Sequence, residues 1–142
     1  MLRVFCLVFG YVFGLFQTGY LYGRMNHIDI RNYGSGNSGT TNALRVLGKK
    51  AGLIVFIGDF FKMVLACLLV RIFLKGDPNT DLYVLYTGLG VVMGHNFPFY
   101  LGFKGGKGIA SMAGLLVSMD WRVTLVCAAV FLGTVIITRY VS

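Results

Sequence analysis

The chain has 142 residues, of which 56% are hydrophobic and 13% charged, and its mean hydropathy is +0.74. Soluble domains carry about 25% charged residues, so this composition excludes an ordinary soluble protein and predicts a polytopic membrane protein. The net charge of +8 comes from 13 Lys and Arg against 5 acidic residues. These cations lie mainly at the ends of apolar runs and in two glycine-rich loops, which favours an anionic substrate and positive-inside topology over nucleic-acid binding.

Five apolar runs follow one another along the chain and predict an all-α bundle of about five transmembrane spans. They cover residues 2–22, 51–74, 82–94, 109–119 and 123–138. The first, second and last runs are predicted to cross a bilayer at about 1.5 Å per residue. The third and fourth runs are short, so we expect tilted helices, or half-helices that end at the loops.

The segments between these runs hold most of the basic residues. Residues 23–50 carry five of them, residues 95–108 carry Lys104 and Lys107, and Arg139 follows the last run. By the positive-inside rule, these segments face the cytoplasm and the N-terminus lies outside. Both glycine-rich loops then fall on the same face of the membrane, as a shared active site requires.

Two polar stretches are rich in glycine: the first glycine loop (residues 34–42, GSGNSGTTN) and the second glycine loop (residues 94–108, GHNFPFYLGFKGGKG). The first matches G-x-G-x-x-G but lacks the strand and soluble helix of a dinucleotide fold. The second lacks P-loop spacing and a Ser or Thr after Lys107. Both offer backbone N–H groups that can bind phosphate oxygens. The alternative is that these glycines serve only tight turns and close helix packing.

Candidate phosphate ligands in both loops include backbone amides, neutral side chains and cations. In the first glycine loop and just after it they are Gly34, Ser35, Gly36, Asn37, Gly39, Thr41, Asn42 and Arg45. In the second glycine loop they are Lys104, Gly105, Gly106, Lys107 and Gly108. An arginine can hold a phosphate through two N–H groups, whereas a lysine acts as a point charge. This pattern of ligands assigns neither loop to a particular phosphate group.

Three further side chains have the chemistry of a site. His95 suits proton abstraction from a hydroxyl and follows a glycine predicted to end a helix; a structural hydrogen bond there is the alternative. Asp59 and Lys62 are spaced to pair within the second apolar run. Lys62 is also a candidate for reaching the cytoplasmic site. His27 has no partner motif, and two distant histidines without any Glu do not predict a metal site.

Taken together, these motifs resemble the bacterial PlsY-type acyl-phosphate:glycerol-3-phosphate acyltransferases. The resemblance rests on both glycine loops, on Arg45, on Asp59 with Lys62, and on residues 138–142 as the start of a third motif. It implies a multi-pass enzyme of the bacterial inner membrane that moves a fatty acyl group from acyl phosphate to the 1-hydroxyl of glycerol 3-phosphate. The products are lysophosphatidic acid and phosphate, in the first step of phospholipid synthesis.

The resemblance also implies that the enzyme needs no metal or organic cofactor and works with an enzyme that produces acyl phosphate. We assign catalysis to His95, Ser35, Arg45 and Lys104, and the hydroxyl proton goes to His95 or to a phosphate oxygen of a substrate. Phosphate is a good leaving group, so positioning and charge stabilisation should dominate. Residues 1–142 would form one membrane domain that lacks the C-terminal part of the longer family members. The alternatives are an inactive fragment and a small membrane anion transporter.

Overall fold

The computed structural model describes residues 1–139, which form helices and no strands. The α-helices are α1 (Leu2–Gly14), α2 (Thr18–Met25), α3 (Thr40–Leu47), α4 (Lys49–Phe73), α5 (Thr80–Asn96), α6 (Ile109–Met119) and α7 (Trp121–Thr138). Two 3-10 helices, Ile30–Asn32 and Phe99–Leu101, lie in the connections. Within residues 1–139, the segments long and apolar enough to cross a membrane are Leu2–Met25, Lys49–Phe73 and Trp121–Thr138. The predicted all-α membrane fold is confirmed, while α5 and α6 are shorter than those three segments.

The first apolar run is not the single helix that its length predicts. It breaks between α1 and α2, and Gln17 before α2 has a non-helical backbone. The carbonyl groups at the break are satisfied from elsewhere in the chain: the ammonium of Lys62 donates to the carbonyl oxygen of Phe16 at 2.6 Å. A broken helix is tolerated at membrane depth only when other groups replace its lost hydrogen bonds. Those partners come from distant sequence, so the break is invisible in the first run itself.

Glycines bring α1 and α5 into close contact. A Cβ atom added to Gly10 would collide with the carbonyl oxygen of Thr87, and one added to Gly90 would collide with that of Leu7. Such close approach of two backbones is typical of small residues in membrane helices. Beside this contact lies a buried apolar cluster that includes Cys6, Met63 and Val84.

Helix α5 extends past the glycine that the sequence predicts to end it. Gly94 remains helical because it packs against α1, where a Cβ atom would meet the carbonyl oxygen of Tyr11. The helix continues to Asn96, and His95 therefore lies in its last turn and does not open the loop. At the opposite end of α5, Arg71 pairs with Asp81 at 2.7 Å and so joins α4 to α5.

Helices α3 and α7 complete the described chain and differ sharply in burial. The sequence does not predict α3, a short helix between the first two apolar runs that buries Asn42 and Ala43. Helix α7 follows α6 directly, and its residues include none that are buried. Its contacts are chiefly with α6, and Phe131 borders the cavity described below.

Candidate active site

A cavity of about 200 Å³ lies where the two glycine loops meet. Its wall combines polar groups of both loops with the buried side chains of Asp59 and His95 and with apolar side chains. The lining residues are Ser35, Asn37, Gly39, Thr40, Thr41, Asn42, Phe56, Asp59, His95, Lys107, Gly108, Ile109, Ala110 and Phe131. The two loops, far apart in sequence, thus contribute to one site.

The structure brings together only part of the predicted ligand set. The predicted residues that line the cavity are Ser35, Asn37, Gly39, Thr41, Asn42, His95, Lys107 and Gly108. The others, Gly34, Gly36, Arg45, Lys62, Lys104, Gly105 and Gly106, are not among its lining residues. Arg45 and Lys104 are exposed, so their assignment to a substrate stays a prediction.

Asn42 organises the first glycine loop. Its side-chain amide donates to the carbonyl oxygens of Ile30, Tyr33 and Asn37 at 3.1, 3.0 and 2.8 Å. Its Oδ1 accepts the N–H of Ser35 at 2.9 Å, and the residue is 1% exposed. Because its hydrogen-bonding groups are engaged inside the loop, Asn42 shapes the site and has little capacity left to bind a phosphate.

The second glycine loop is attached to the last turn of α5. Gly105 donates its N–H to the carbonyl oxygen of Asn96 at 3.1 Å, and Gly106 donates to that of His95 at 3.0 Å. Neither position has room for a side chain. A Cβ atom on Gly105 would collide with the His95 carbonyl oxygen, and one on Gly106 would collide with the His95 imidazole. The loop therefore lies directly against His95.

Internal hydrogen bonds limit which of the predicted loop amides are free to bind a phosphate. Several glycine-loop amides are already used internally: besides Gly105 and Gly106, the N–H of Gly36 donates to Tyr33 and that of Gly39 to Asn37. The N-terminal turns of α3 and α6 instead border the cavity. The first N–H groups of a helix have no acceptor within it, and the helix dipole adds positive potential there. Two helix N-termini therefore border the cavity with N–H groups that have no acceptor within their own helices.

Three buried ionisable side chains meet beside the cavity. Asp59 and Lys62 form the predicted pair, with Nζ 3.0 Å from Oδ1. The same Nζ lies 2.9 Å from Nδ1 of His95, and that nitrogen is 3.7 Å from Oδ1 of Asp59. Since Lys62 also donates to the Phe16 carbonyl, binding a substrate phosphate directly would require it to give up one of these contacts.

Gln17 supports the site from outside the cavity wall, and the sequence interpretation missed it. Its amide donates to the carbonyl oxygen of His95 at 2.8 Å, and its Oε1 accepts the hydroxyl of Ser38 at 3.0 Å. It thereby connects the break after α1, the end of α5 and the first glycine loop. A fully buried polar amide inside an apolar run is costly and usually functional or structural, and that signal was available in the sequence.

Arg31 connects the two loop regions outside the membrane-spanning segments. It pairs with Asp29 at 2.7 Å and donates from Nη1 to the carbonyl oxygen of Leu101 at 2.9 Å. The hydrogen bond from Arg31 lowers the pKa of the Asp29 carboxyl group, and the same bond raises the pKa of Arg31. Within residues 1–139, no three His, Cys, Asp or Glu side chains are grouped so that they could share a metal ion.

Known proteins resemble this chain over nearly its whole length. A profile of the family described as glycerol-3-phosphate acyltransferase matches residues 4–142. A glycerol-3-phosphate acyltransferase of Prochlorococcus marinus (strain NATL1A) is 42% identical over 142 residues, which cover 99% of this chain and 70% of that protein. The third motif expected at residues 138–142 extends beyond the described residues, which end at Arg139.

Two crystal structures of the integral membrane glycerol 3-phosphate acyltransferase PlsY share the fold. The glycerol 3-phosphate form has a TM-score of 0.86 and 37% identity, over 98% of this chain and 68% of that one. The lysophosphatidic acid form has a TM-score of 0.84 and 36% identity, over 98% and 67%. This chain thus corresponds to about two thirds of those proteins.

Proposed function

The chain belongs to the glycerol-3-phosphate acyltransferase family, and we propose that it transfers a fatty acyl group from acyl phosphate to the 1-hydroxyl of glycerol 3-phosphate. An ester bond forms between the glycerol 1-oxygen and the acyl carbon, and the bond from that carbon to the phosphate oxygen breaks. In the balanced reaction, the proton of the hydroxyl group ends on the inorganic phosphate that is released. Lysophosphatidic acid is the second product, in keeping with the two PlsY forms.

The observation that carries this proposal is the composition of the cavity wall. The N-terminal turns of α3 and α6 and the side chain of Lys107 supply positive potential for phosphate groups. Phe56, Ile109 and Phe131 supply an apolar border on the same cavity. Both substrates carry a phosphate and one carries an acyl chain, so this combination suits their reaction.

In this proposal the two glycine loops face the cytoplasm and the protein lies in the bacterial inner membrane. The loop cations favour this orientation by the positive-inside rule. Residues 1–142 act as one membrane domain. Acyl phosphate is a reactive anhydride, so its supply requires a second enzyme that produces it, and the acyl chain reaches the cavity from the surrounding lipid.

Positioning and charge stabilisation carry the reaction. Ser35 and Lys107 border the cavity, and we retain Arg45 and Lys104 as further phosphate ligands. Two groups are candidates for accepting the hydroxyl proton: the imidazole of His95, and a phosphate oxygen of one substrate.

The test is acyl transfer from palmitoyl phosphate to labelled glycerol 3-phosphate in proteoliposomes. We expect lysophosphatidic acid to form. Removal of a single charge-stabilising group typically lowers rates by about 10²-fold, so Arg45→Ala, Lys104→Ala and Lys107→Ala should each cause a large loss. Lys75→Ala, an exposed cation after the other end of α4, is the matched control and should retain the wild-type rate. Wild-type rates in all three loop variants would contradict the assignment.

The same assay should be run on the 142-residue chain and on a chain extended with the C-terminal residues of a relative. Transfer only by the extended protein would show that the added residues complete the site. Phosphate uptake into the vesicles without acyl transfer by either chain would instead identify an anion transporter.

A further inference from the structure

Lys62 has four polar neighbours, of which three lie within 3.0 Å of Nζ and the fourth, the carbonyl oxygen of Gly14, lies 3.5 Å away. The carbonyl oxygen of Phe16 lies 2.6 Å from Nζ, and Oδ1 of Asp59 lies 3.0 Å away. The third neighbour is Nδ1 of His95, at 2.9 Å. An ammonium group has three donors and no acceptor, and each of the three nearer neighbours can accept one of them.

Burial around Asp59 supports the charged form of Lys62. Asp59 is 1% exposed and Lys62 is 7% exposed, and a buried carboxylate requires a compensating cation. Thr18 donates a hydrogen bond from its hydroxyl group to the same Oδ1 of Asp59 at 3.1 Å. This is the bond expected for an ionised carboxylate, which can only accept hydrogen bonds. Lys62 provides the closest positive charge, because Nδ1 of His95 is farther from Oδ1, at 3.7 Å.

A charged Lys62 determines where the proton of His95 resides. Two donors cannot face each other at 2.9 Å, so Nδ1 must accept the hydrogen bond from Lys62. A neutral imidazole with an accepting Nδ1 carries its hydrogen on Nε2. We propose that Lys62 holds His95 as the neutral Nε2–H tautomer, so that His95 presents a hydrogen-bond donor at Nε2.

Nε2 lies against the second glycine loop at Gly106, where an added Cβ atom would collide with it. His95 as a residue borders the cavity together with Lys107 and Gly108. This role rests on the proposed function: the Nε2–H would donate a hydrogen bond to a substrate oxygen that gains negative charge during acyl transfer. Lys62 is a positioning residue.

The chain offers a direct test, because it contains only two histidines. His27 is exposed with φ of 61°, a conformation that asparagine tolerates, so His27→Asn should fold and leave His95 alone. In this variant, ¹⁵N NMR of the labelled imidazole should show a protonated Nε2 and an unprotonated Nδ1 at neutral pH. A spectrum with hydrogen on Nδ1, or on both nitrogens, overturns the proposal.

A second variant tests whether Lys62 is the cause. Asp59→Asn combined with Lys62→Met in the His27→Asn background removes both charges, so neither is left buried without its partner. We expect the Nε2–H signal to be replaced by a mixture of the two tautomers. An unchanged spectrum in a folded triple variant contradicts the role of Lys62.

Acyl transfer measured on the same His27→Asn sample separates the two proposals. Transfer together with hydrogen on Nδ1 overturns the donor role of His95 and leaves the proposed function intact. The Nε2–H tautomer without transfer, in the chain extended as described above, supports the tautomer and rejects the proposed function.

Discussion

The side chain of Asn42 organises the first glycine loop, whereas Gly105 and Gly106 of the second are held by backbone carbonyl groups of α5. In the first loop, Asn42 binds three carbonyl groups, and Gly34 and Gly36 adopt φ of 59° and 72°, which glycine favours. In the second loop, Gly105 and Gly106 donate to carbonyl groups of the last helical turn, and their missing side chains leave space for His95. Gly34 and Gly36 thus meet a conformational requirement, whereas Gly105 and Gly106 meet a requirement for space beside His95.

The largest expected effect follows from filling the space in the second loop. Gly106→Ala places a methyl group against the His95 imidazole, so the ring or the loop must move. Misplacing a catalytic group by about 1 Å can lower rates by about 10²-fold, and we expect a loss of that order in the acyl-transfer assay. Gly133→Ala in α7, where an added Cβ meets nothing within 4 Å, should leave the rate unchanged. Equal rates for both variants would contradict the tight contact.

An intermediate effect on stability is expected from the first loop. Asn42→Leu removes the donors to three carbonyl groups and the acceptor for Ser35. Each buried group left without a partner costs about 1–3 kcal/mol, so unfolding in denaturant should occur at clearly lower concentration. The matched control is Asn26→Leu, whose exposed side chain donates only to Tyr22; surface changes of this kind stay within about 0.5 kcal/mol. Equal midpoints for the two variants would refute the organising role of Asn42.

The smallest effect concerns the ion pair that connects the loop regions. Arg31 lowers the pKa of Asp29, so the pair contributes stability above the carboxyl pKa of the unfolded chain. That contribution is lost as the pH falls through the lower folded value. For a partly exposed pair it amounts to about 0.5 kcal/mol. Asp29→Asn should remove this part of the pH dependence between about pH 5 and 2, as measured by thermal unfolding. Identical pH profiles would show that the pair contributes nothing.

The sequence predicts the membrane class, the apolar runs and the importance of both glycine loops because these depend on local composition. It also predicts the Asp59–Lys62 pair, since the two residues are three apart on one helix. It places the end of α5 wrongly at Gly94, because a glycine that packs on another helix looks like one that ends its own. The family resemblance narrows the chemistry further, to acyl transfer.

The remaining features depend on contacts between distant segments. The Lys62–His95 contact joins residues 33 positions apart, and Gln17 reaches His95 across 78 positions. Which loop amides stay free also depends on folding, since Gly106 uses its N–H on the His95 carbonyl group. A motif identifies residues that can bind phosphate, but it does not show which of them are already engaged in hydrogen bonds within the folded chain.

The break between α1 and α2 has a consequence for how the protein is assembled in the membrane. Until α4 and α5 pack beside the first helix, the carbonyl groups of Gly14 and Phe16 lack the ammonium of Lys62, and Gln17 lacks the carbonyl group of His95. An unpartnered polar group in lipid costs several kcal/mol. The break is therefore stabilised only when α4 and α5 are in place, and the contacts that support it also place Lys62 beside His95. Packing of the first helix and formation of the buried Lys62–His95 contact are thus linked.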